Sequence, residues 1–188
     1  VNPVNDVVAT VQLGGGVVAA GPFTRAITFE LWNTTVNSLA PLHTVCQAIT
    51  FTNGLSDPMT LTVPCQATGY TCITARDRLH TLRRTISPLP TGGAQYVANF
   101  TVAKALIGGN MNDDKFIDIL DFGVFSWKWA TNYGSGNTTC STAYPHADVN
   151  GNGLVDTADY TFIQINFLQC SEANCSGLFC FAGVDDQT

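Results

Sequence analysis

Two stretches of this chain gather oxygen donors at alternate places of a twelve-residue frame. In the first, Asn110, Asn112, Asp114, Asp118 and Asp121 offer side-chain oxygens, and the backbone carbonyl of Phe116 fills the remaining place. In the second, the same places hold Asp148, Asn150, Asn152, Asp156 and Asp159, with the carbonyl of Leu154. Calcium is a hard cation that takes six to eight oxygens in a flexible shell, which such a frame can supply. Each frame carries three ligand carboxylates, so two calcium ions would offset four of the six formal negative charges. Ile117 and Val155 occupy the eighth place of the two frames, where an apolar side chain can pin a loop to a core.

What positions these frames is a helix after each one. Phe122, Phe125 and Trp129 recur at helical spacing, as do Tyr160, Ile163 and Phe167. Loop plus helix therefore occurs twice, an internal duplication. Aspartate closes both frames, and no helical pattern precedes the second, where residues 140–146 contain Thr, Ser and Pro. Over residues 106–170 this pattern resembles the dockerin type I module. The resemblance implies two calcium ions bound by the residues named above, and a cohesin-type protein as partner. Three departures bear on that implication. Asn110 stands where Asp is usual, and Lys115 stands where glycine is usual for a left-handed turn, so the first site is expected to be the weaker. In dockerins the places beside the ligands touch cohesin and are polar or small. Here the first loop has Ile119 and Leu120, a pair suited to permanent burial.

Ahead of these loops the chain reads as strands. Ile27, Phe29 and Leu31 alternate with polar residues, as do Val45, Ile49 and Phe51, and Tyr96, Ala98 and Phe100. Further strands are expected at 7–13, 59–63, 70–74 and 79–85. Some seven short strands separated by turns predict an antiparallel β-sandwich of immunoglobulin-like or cohesin-like type over residues 1–105. A dockerin-like unit with a disulfide-bonded tail is expected over 106–188. A small barrel fits the same pattern. The segment from Val7 to Leu13, set off by three glycines, could complete a neighbour's sheet, and repeated head to tail that contact would build a filament.

Seven cysteines without a CxxC pair indicate an oxidising compartment. Spacing suggests a Cys65–Cys72 hairpin staple and two bridges among Cys140, Cys170, Cys175 and Cys180, leaving Cys46. Sequons at Asn33, Asn99, Asn137 and Asn174 suit a glycosylated, secreted chain, as does a start at Val1. No apolar run is long enough to span a membrane, and a sequence pI near 4.7 argues against nucleic acid.

Arg76, Arg78, Arg83 and Arg84 hold half of the eight Lys and Arg residues. They could face solvent or dock onto an acidic surface, in the calcium-loop half of this chain, in another subunit or on an anionic glycan. His43, His80 and His146 are scattered, no nucleophile motif accompanies them, and the carboxylates outside the loops form no recognisable pair, so enzyme activity is not expected. Trp32, Trp127 and Trp129 could form a sugar platform but suit core or interface packing. The reading that follows is a calcium-stabilised extracellular structural protein assembling with its own copies. The alternative is an adaptor whose dockerin-like half plugs into a cohesin.

Overall fold

The computed structural model describes residues 6–36, 39–92 and 95–177. The strands run in the order β1 (Asp6–Val11), β2 (Leu13–Gly14), β3 (Phe23–Trp32), β4 (His43–Thr52), β5 (Leu55–Ser56), β6 (Met59–Thr62), β7 (Cys72–Arg76), β8 (Arg84–Ile86), β9 (Thr91–Gly92), β10 (Gln95–Phe100) and β11 (Leu106–Ile107). Two helices follow, α1 (Ile119–Lys128) and α2 (Thr157–Asn166). The chain is mainly β.

Alternation in the strands builds a two-layer core. A five-stranded antiparallel sheet of order β5-β4-β3-β7-β8 faces a four-stranded sheet of order β6-β1-β10-β9. Ile27, Phe29 and Leu31 from β3 meet Val7, Ala9 and Val11 from β1 and Ala98 and Phe100 from β10, all wholly buried. Burying a side chain of this size is worth about 1.5–3 kcal/mol, and the Phe29 and Phe100 rings lie 6.2 Å apart at the join.

The expectation of a purely antiparallel sandwich needs correction. β1 runs parallel to β10, from Val7 opposite Tyr96 to Val11 opposite Phe100, and β2 runs parallel to β11. Parallel neighbours need a long crossover, and the whole of β3 to β9 supplies it. β1 also pairs with β6 on its other edge, so the segment expected to reach a neighbour is a central strand of its own sheet. The strand expected over 79–85 begins only at Arg84, because turn chemistry intervenes. The Leu79 N–H donates to Asp77 Oδ1 at 2.9 Å and the Asp77 N–H to Thr81 Oγ1 at 2.9 Å, which bends the chain before it can pair.

A second core joins Leu82 to Met111, Ile117, Phe125, Val149, Val155, Phe162 and Ile163. Leu82 comes from the sandwich segment, and β11 pairs with β2, so the two halves interlock. Two disulfides reinforce the join. Cys46 of β4 is bonded to Cys140, 94 residues away, and Cys72 of β7 to Cys175, 103 residues away. These correct the pairing expected from short spacing. Cys65 and Cys170 are free and exposed, Cys46 is not the leftover residue, and Cys180 lies outside the described residues. The physical reason is that the C-terminal half packs on the five-stranded sheet, bringing distant cysteines together. Closing loops near 100 residues constrains the unfolded chain by about 4–5 kcal/mol each.

Candidate metal centre

Each helix starts on an aspartate that also belongs to its loop. Asp118 Oδ1 accepts from the Leu120 N–H, and Asp156 Oδ1 from the Ala158 N–H, both at 2.7 Å. The reciprocal bonds come from the closing residues: Asp121 Oδ2 accepts from the Asp118 N–H at 2.8 Å, and Asp159 Oδ2 from the Asp156 N–H at 2.9 Å. These capping boxes hold both helix starts. The second oxygen of each closing carboxylate reaches back across the loop, Asp121 Oδ1 to the Met111 N–H at 2.6 Å and Asp159 Oδ1 to the Asn150 N–H at 2.9 Å.

Between these ends, Asx turns repeat. In loop 1, Asn112 Oδ1 accepts from the Asp114 N–H and Asp114 Oδ1 from the Phe116 N–H. In loop 2, Asn150 Oδ1 accepts from the Asn152 N–H and Asn152 Oδ1 from the Leu154 N–H. The loops are also tied crosswise. Ile117 exchanges backbone hydrogen bonds with Gln169 and Leu168, just past α2, while Val155 does so with Thr131 and Ala130, just past α1. Ala130 and Leu168 occupy equivalent places and both have positive φ, 59° and 64°. Ile117 and Val155 are wholly buried, as their place in the frame implied.

The first position separates the loops. Asp148 is wholly buried, and its carboxylate accepts from the N–H groups of Gly151, Asn152 and Gly153 at 3.0–3.2 Å. Gly151 and Gly153 bend toward it with φ of 85° and 90°. In loop 1, Asn110 Nδ2 donates to the Asp114 carbonyl at 2.7 Å, and its buried Oδ1 has no partner among the described residues. Asp113 has positive φ, 58°, as its counterpart Gly151 does, but Lys115, where glycine was expected, does not share the positive φ of Gly153.

The electrostatics follow from burial. Burial pushes the Asp121 carboxyl up to about 7 and the Asp159 carboxyl up to about 6, with backbone donors opposing the shift only in part. Arg25 interacts with Asp159 through space. The donor chemistry fits a hard cation, since buried carboxylates, carboxamides and one backbone carbonyl share each loop and an amide oxygen stands unpaired in the first. Among the described residues no three Asp, Glu, His or Cys side chains converge into a metal cage of their own. A cation held in either loop would have to draw on mixed donors.

Several contacts between sandwich and loops had no counterpart in the motif reading. Arg25 is wholly buried; its Nη2 donates to the carbonyls of Asp148 and Val149 and lies 4.0 Å from the Asp148 carboxylate. A signal for it was present, because Arg25 is in phase with Ile27, Phe29 and Leu31 on an alternating strand. His80 and His146 also meet in the interior. His80 Nδ1 lies 2.7 Å from Asp77 Oδ2, so it carries the proton, and His146 Nδ1–H then donates to His80 Nε2 at 2.9 Å. Burial and the neighbouring His80 and Arg25 hold His146 down to about 3. Nothing in the sequence spacing of Asp77, His80 and His146 announced this group.

The arginines expected to meet an acidic surface meet one within the chain. Arg76 and Arg78 both pair with Asp113, at 3.0 and 2.7 Å. Arg84 and Lys104 pair with Glu172 at 3.1 and 2.8 Å, and Arg83 donates to the Glu172 carbonyl. They are not a free docking face. Ile119 and Leu120, by contrast, are 64% and 60% exposed, so nothing among the described residues buries the pair. An open groove of about 470 Å³ beside them is lined by Ile119, Phe122, Tyr160, Ile163, Gln164 and Phe167. Trp32 is buried, whereas Trp127 and Trp129 are exposed.

The sequons differ too. Asn33 is buried, its Nδ2 donates to the carbonyls of Thr68 and Gly69 at 3.0 Å, and its Oδ1 accepts from Thr35, which leaves no room for a glycan. That corrects the expectation for Asn33. Asn99 and Asn137 are exposed, although Asn137 Oδ1 accepts from the Thr24 N–H at 2.7 Å, and Asn174 is half-buried.

The fold and these loops define a disulfide-tied β-sandwich carrying a duplicated loop–helix unit. Compared with known proteins, the chain matches no family model and no curated sequence.

Proposed function

We propose that this chain is a non-catalytic, calcium-stabilised structural module of an extracellular assembly. The observation that carries the reading is the matched pair of loops, each ending on a wholly buried carboxylate. A divalent cation in each would neutralise that charge and draw on the remaining donors, Asn110 Oδ1 among them. Asn110, Asn112, Asp114, Phe116, Asp118 and Asp121 would hold one ion. Asp148, Asn150, Asn152, Leu154, Asp156 and Asp159 would hold the other. Disulfides linking residues 94 and 103 apart suit an oxidising compartment. The buried Asp77–His80–His146 group is spent on joining the halves, with both His80 nitrogens occupied. With β1 paired on both edges, joining copies by strand donation would require exchange of that strand, and the reading does not depend on it.

Calorimetric titration with Ca²⁺, paired with thermal melts in EGTA, tests this directly. Two bound ions and a clear fall in Tm on chelation are expected; absence of binding heat together with an unmoved Tm would overturn the proposal.

A second reading, an adaptor for a cohesin-type protein, draws support from the exposed Ile119–Leu120 face. Ca²⁺-dependent capture of a cohesin domain, lost on Ile119→Asp, would favour it over the first.

A further inference from the structure

Helix α1 is apolar on the side that the described chain leaves open. Within it, Asp121 and Phe125 are the buried residues. Ile119, Gly123 and Trp127 follow one another along the other side, a turn apart, flanked by Leu120, Phe122 and Ser126, and all six are exposed. None of them is ionised. Neither the loop nor the cap demands this surface, because α2 grows from the same frame with Thr157, Ala158 and Thr161 where α1 has Ile119, Leu120 and Gly123. A helix that is apolar all round is a covered helix.

Gly123 is the clearest mark of a cover. It sits in mid-helix, where glycine is the poorest former after proline, and no left-handed φ calls for it. A Cβ there would meet nothing within 4 Å, so no neighbour among the described residues calls for it either. Glycine at such a place lets another backbone come close. Its surroundings fit a second copy, crossing antiparallel on a twofold axis at Gly123. In an isologous contact each residue meets its symmetry-related place, so Gly123 meets Gly123, Ile119 meets Trp127, and Leu120 meets Ser126. Asp118 and Lys128, five residues to either side, then face each other across the axis. The Lys128 ammonium already lies on this side, 4.5 Å from the centre of the Trp127 ring. Ile119, Leu120, Phe122, Trp127, Trp129 and Phe167 together expose roughly 700 Å², close to the ~800 Å² that each partner gives to a stable dimer. A chain of formal charge −6 meets its own copy with least repulsion where its surface is neutral.

We infer that α1 is a self-association surface, on which two copies of this chain pair with their α1 helices crossing at Gly123. The inference names the partner in the assembly proposed above and rests on that reading; calcium uptake, measured separately, tells the two apart.

Sedimentation velocity of the full chain in Ca²⁺ over a wide concentration range, with calorimetric titration of the same sample, tests it. A closed dimer in exchange with monomer is expected. Gly123→Gln should weaken association at least tenfold while the Tm of the monomer holds or rises, because glutamine is the better helix former. Lys128→Glu should weaken it severalfold. On mild oxidation Gly123→Cys should give a covalent dimer in a yield that the unsubstituted protein, with Cys65 and Cys170 free, does not reach. A monomer at every concentration overturns the inference. Residues 178–188 of the same chain would then be the cover if Gly123→Gln lowers Tm, and a cohesin domain if one is captured on α1. Association that Gly123→Gln leaves unchanged overturns it too, as do open-ended polymers in place of a dimer. Calcium uptake without association refutes this contact alone, and association without calcium uptake refutes the calcium reading alone.

Discussion

Loops 1 and 2 share a twelve-residue frame, a set of Asx turns and a capping box, yet they treat their first position in opposite ways. Asp148 draws three backbone N–H groups onto its carboxylate, and two glycines with left-handed φ make that convergence possible. Asn110 donates instead of accepting, and the backbone beyond it turns at Asp113, whose side chain leaves the loop to meet Arg76 and Arg78. Loop 2 is thus organised by its own backbone and by Arg25, loop 1 by side chains reaching out to the sandwich. Sequence symmetry at the ligand places does not enforce symmetry in how the loop is held. The neighbouring residues decide that.

The largest expected difference lies in the anchor. Arg25 is the buried cation bonded to loop 2, and its removal leaves two carbonyls and a carboxylate buried without it. Arg25→Met should destabilise the protein by about 3–5 kcal/mol, the range for removing one partner of a buried ion pair. Urea unfolding in Ca²⁺ measures this. Arg78→Met, at the exposed pair beside loop 1, should cost no more than about 1 kcal/mol. Equal losses would erase the distinction between a loop anchored in the interior and one tethered at the surface.

A smaller effect comes from protonation. In chelator, the folded-state values of Asp121 and Asp159 stand at about 7 and about 6, above the ordinary 3.8 of the unfolded chain. Through these two groups the folded state holds more protons than the unfolded one, which lowers stability as pH rises from about 4 to about 7, while His146, held down to about 3, acts in the opposite sense below about 6.5. In EGTA, Asp121→Asn and Asp159→Asn should therefore each gain Tm relative to the unchanged protein on going from pH 5 to pH 8. Calcium favours the charged carboxylates and should flatten or invert that trend. Melts across pH on Asp121→Asn and Asp159→Asn variants separate the loops, and the Asp121 variant should lose more of the dependence. Variants whose Tm follows pH as that of the unchanged protein does would contradict the assignment.

Much of this was legible in the sequence because it rests on local rules. Period-two alternation identified Ile27, Phe29 and Leu31 as core, and the twelve-residue frame placed Ile117 and Val155 in the interior. What escaped depends on distant contacts. The parallel β1–β10 pair and the Cys46–Cys140 and Cys72–Cys175 bonds follow from how the halves pack, which short-range spacing does not encode. Asn33 matches a sequon yet lies under residues 68 and 69, a burial that no tripeptide reveals. The helix stripes misled in part. Phe125 and Ile163 are buried, but Trp129 and Phe167 remain exposed, because the second core is small and α1 and α2 each bury only one side.

The smallest change should sharpen the comparison most. Asn110→Asp gives loop 1 the first ligand of loop 2, adding a fourth carboxylate and removing the amide that now donates to the Asp114 carbonyl. Added charge at a buried position favours the cation, and a tenfold gain in affinity, about 1.4 kcal/mol, is the expected size. The gain should stop short of loop 2, because Lys115 avoids the left-handed turn that Gly153 makes, and the loop cannot bring three N–H groups onto the new carboxylate. Adding Lys115→Gly should then recover a further increment in calorimetric titration. The crosswise ties of Ile117 to the end of α2, and of Val155 to the end of α1, carry this change between loops. Tighter binding in loop 1 should therefore raise the affinity of loop 2, by the same coupling with which loop 2 acts on loop 1. An Asn110→Asp protein whose two affinities stay where they were would mean that the first position does not set the difference between the loops.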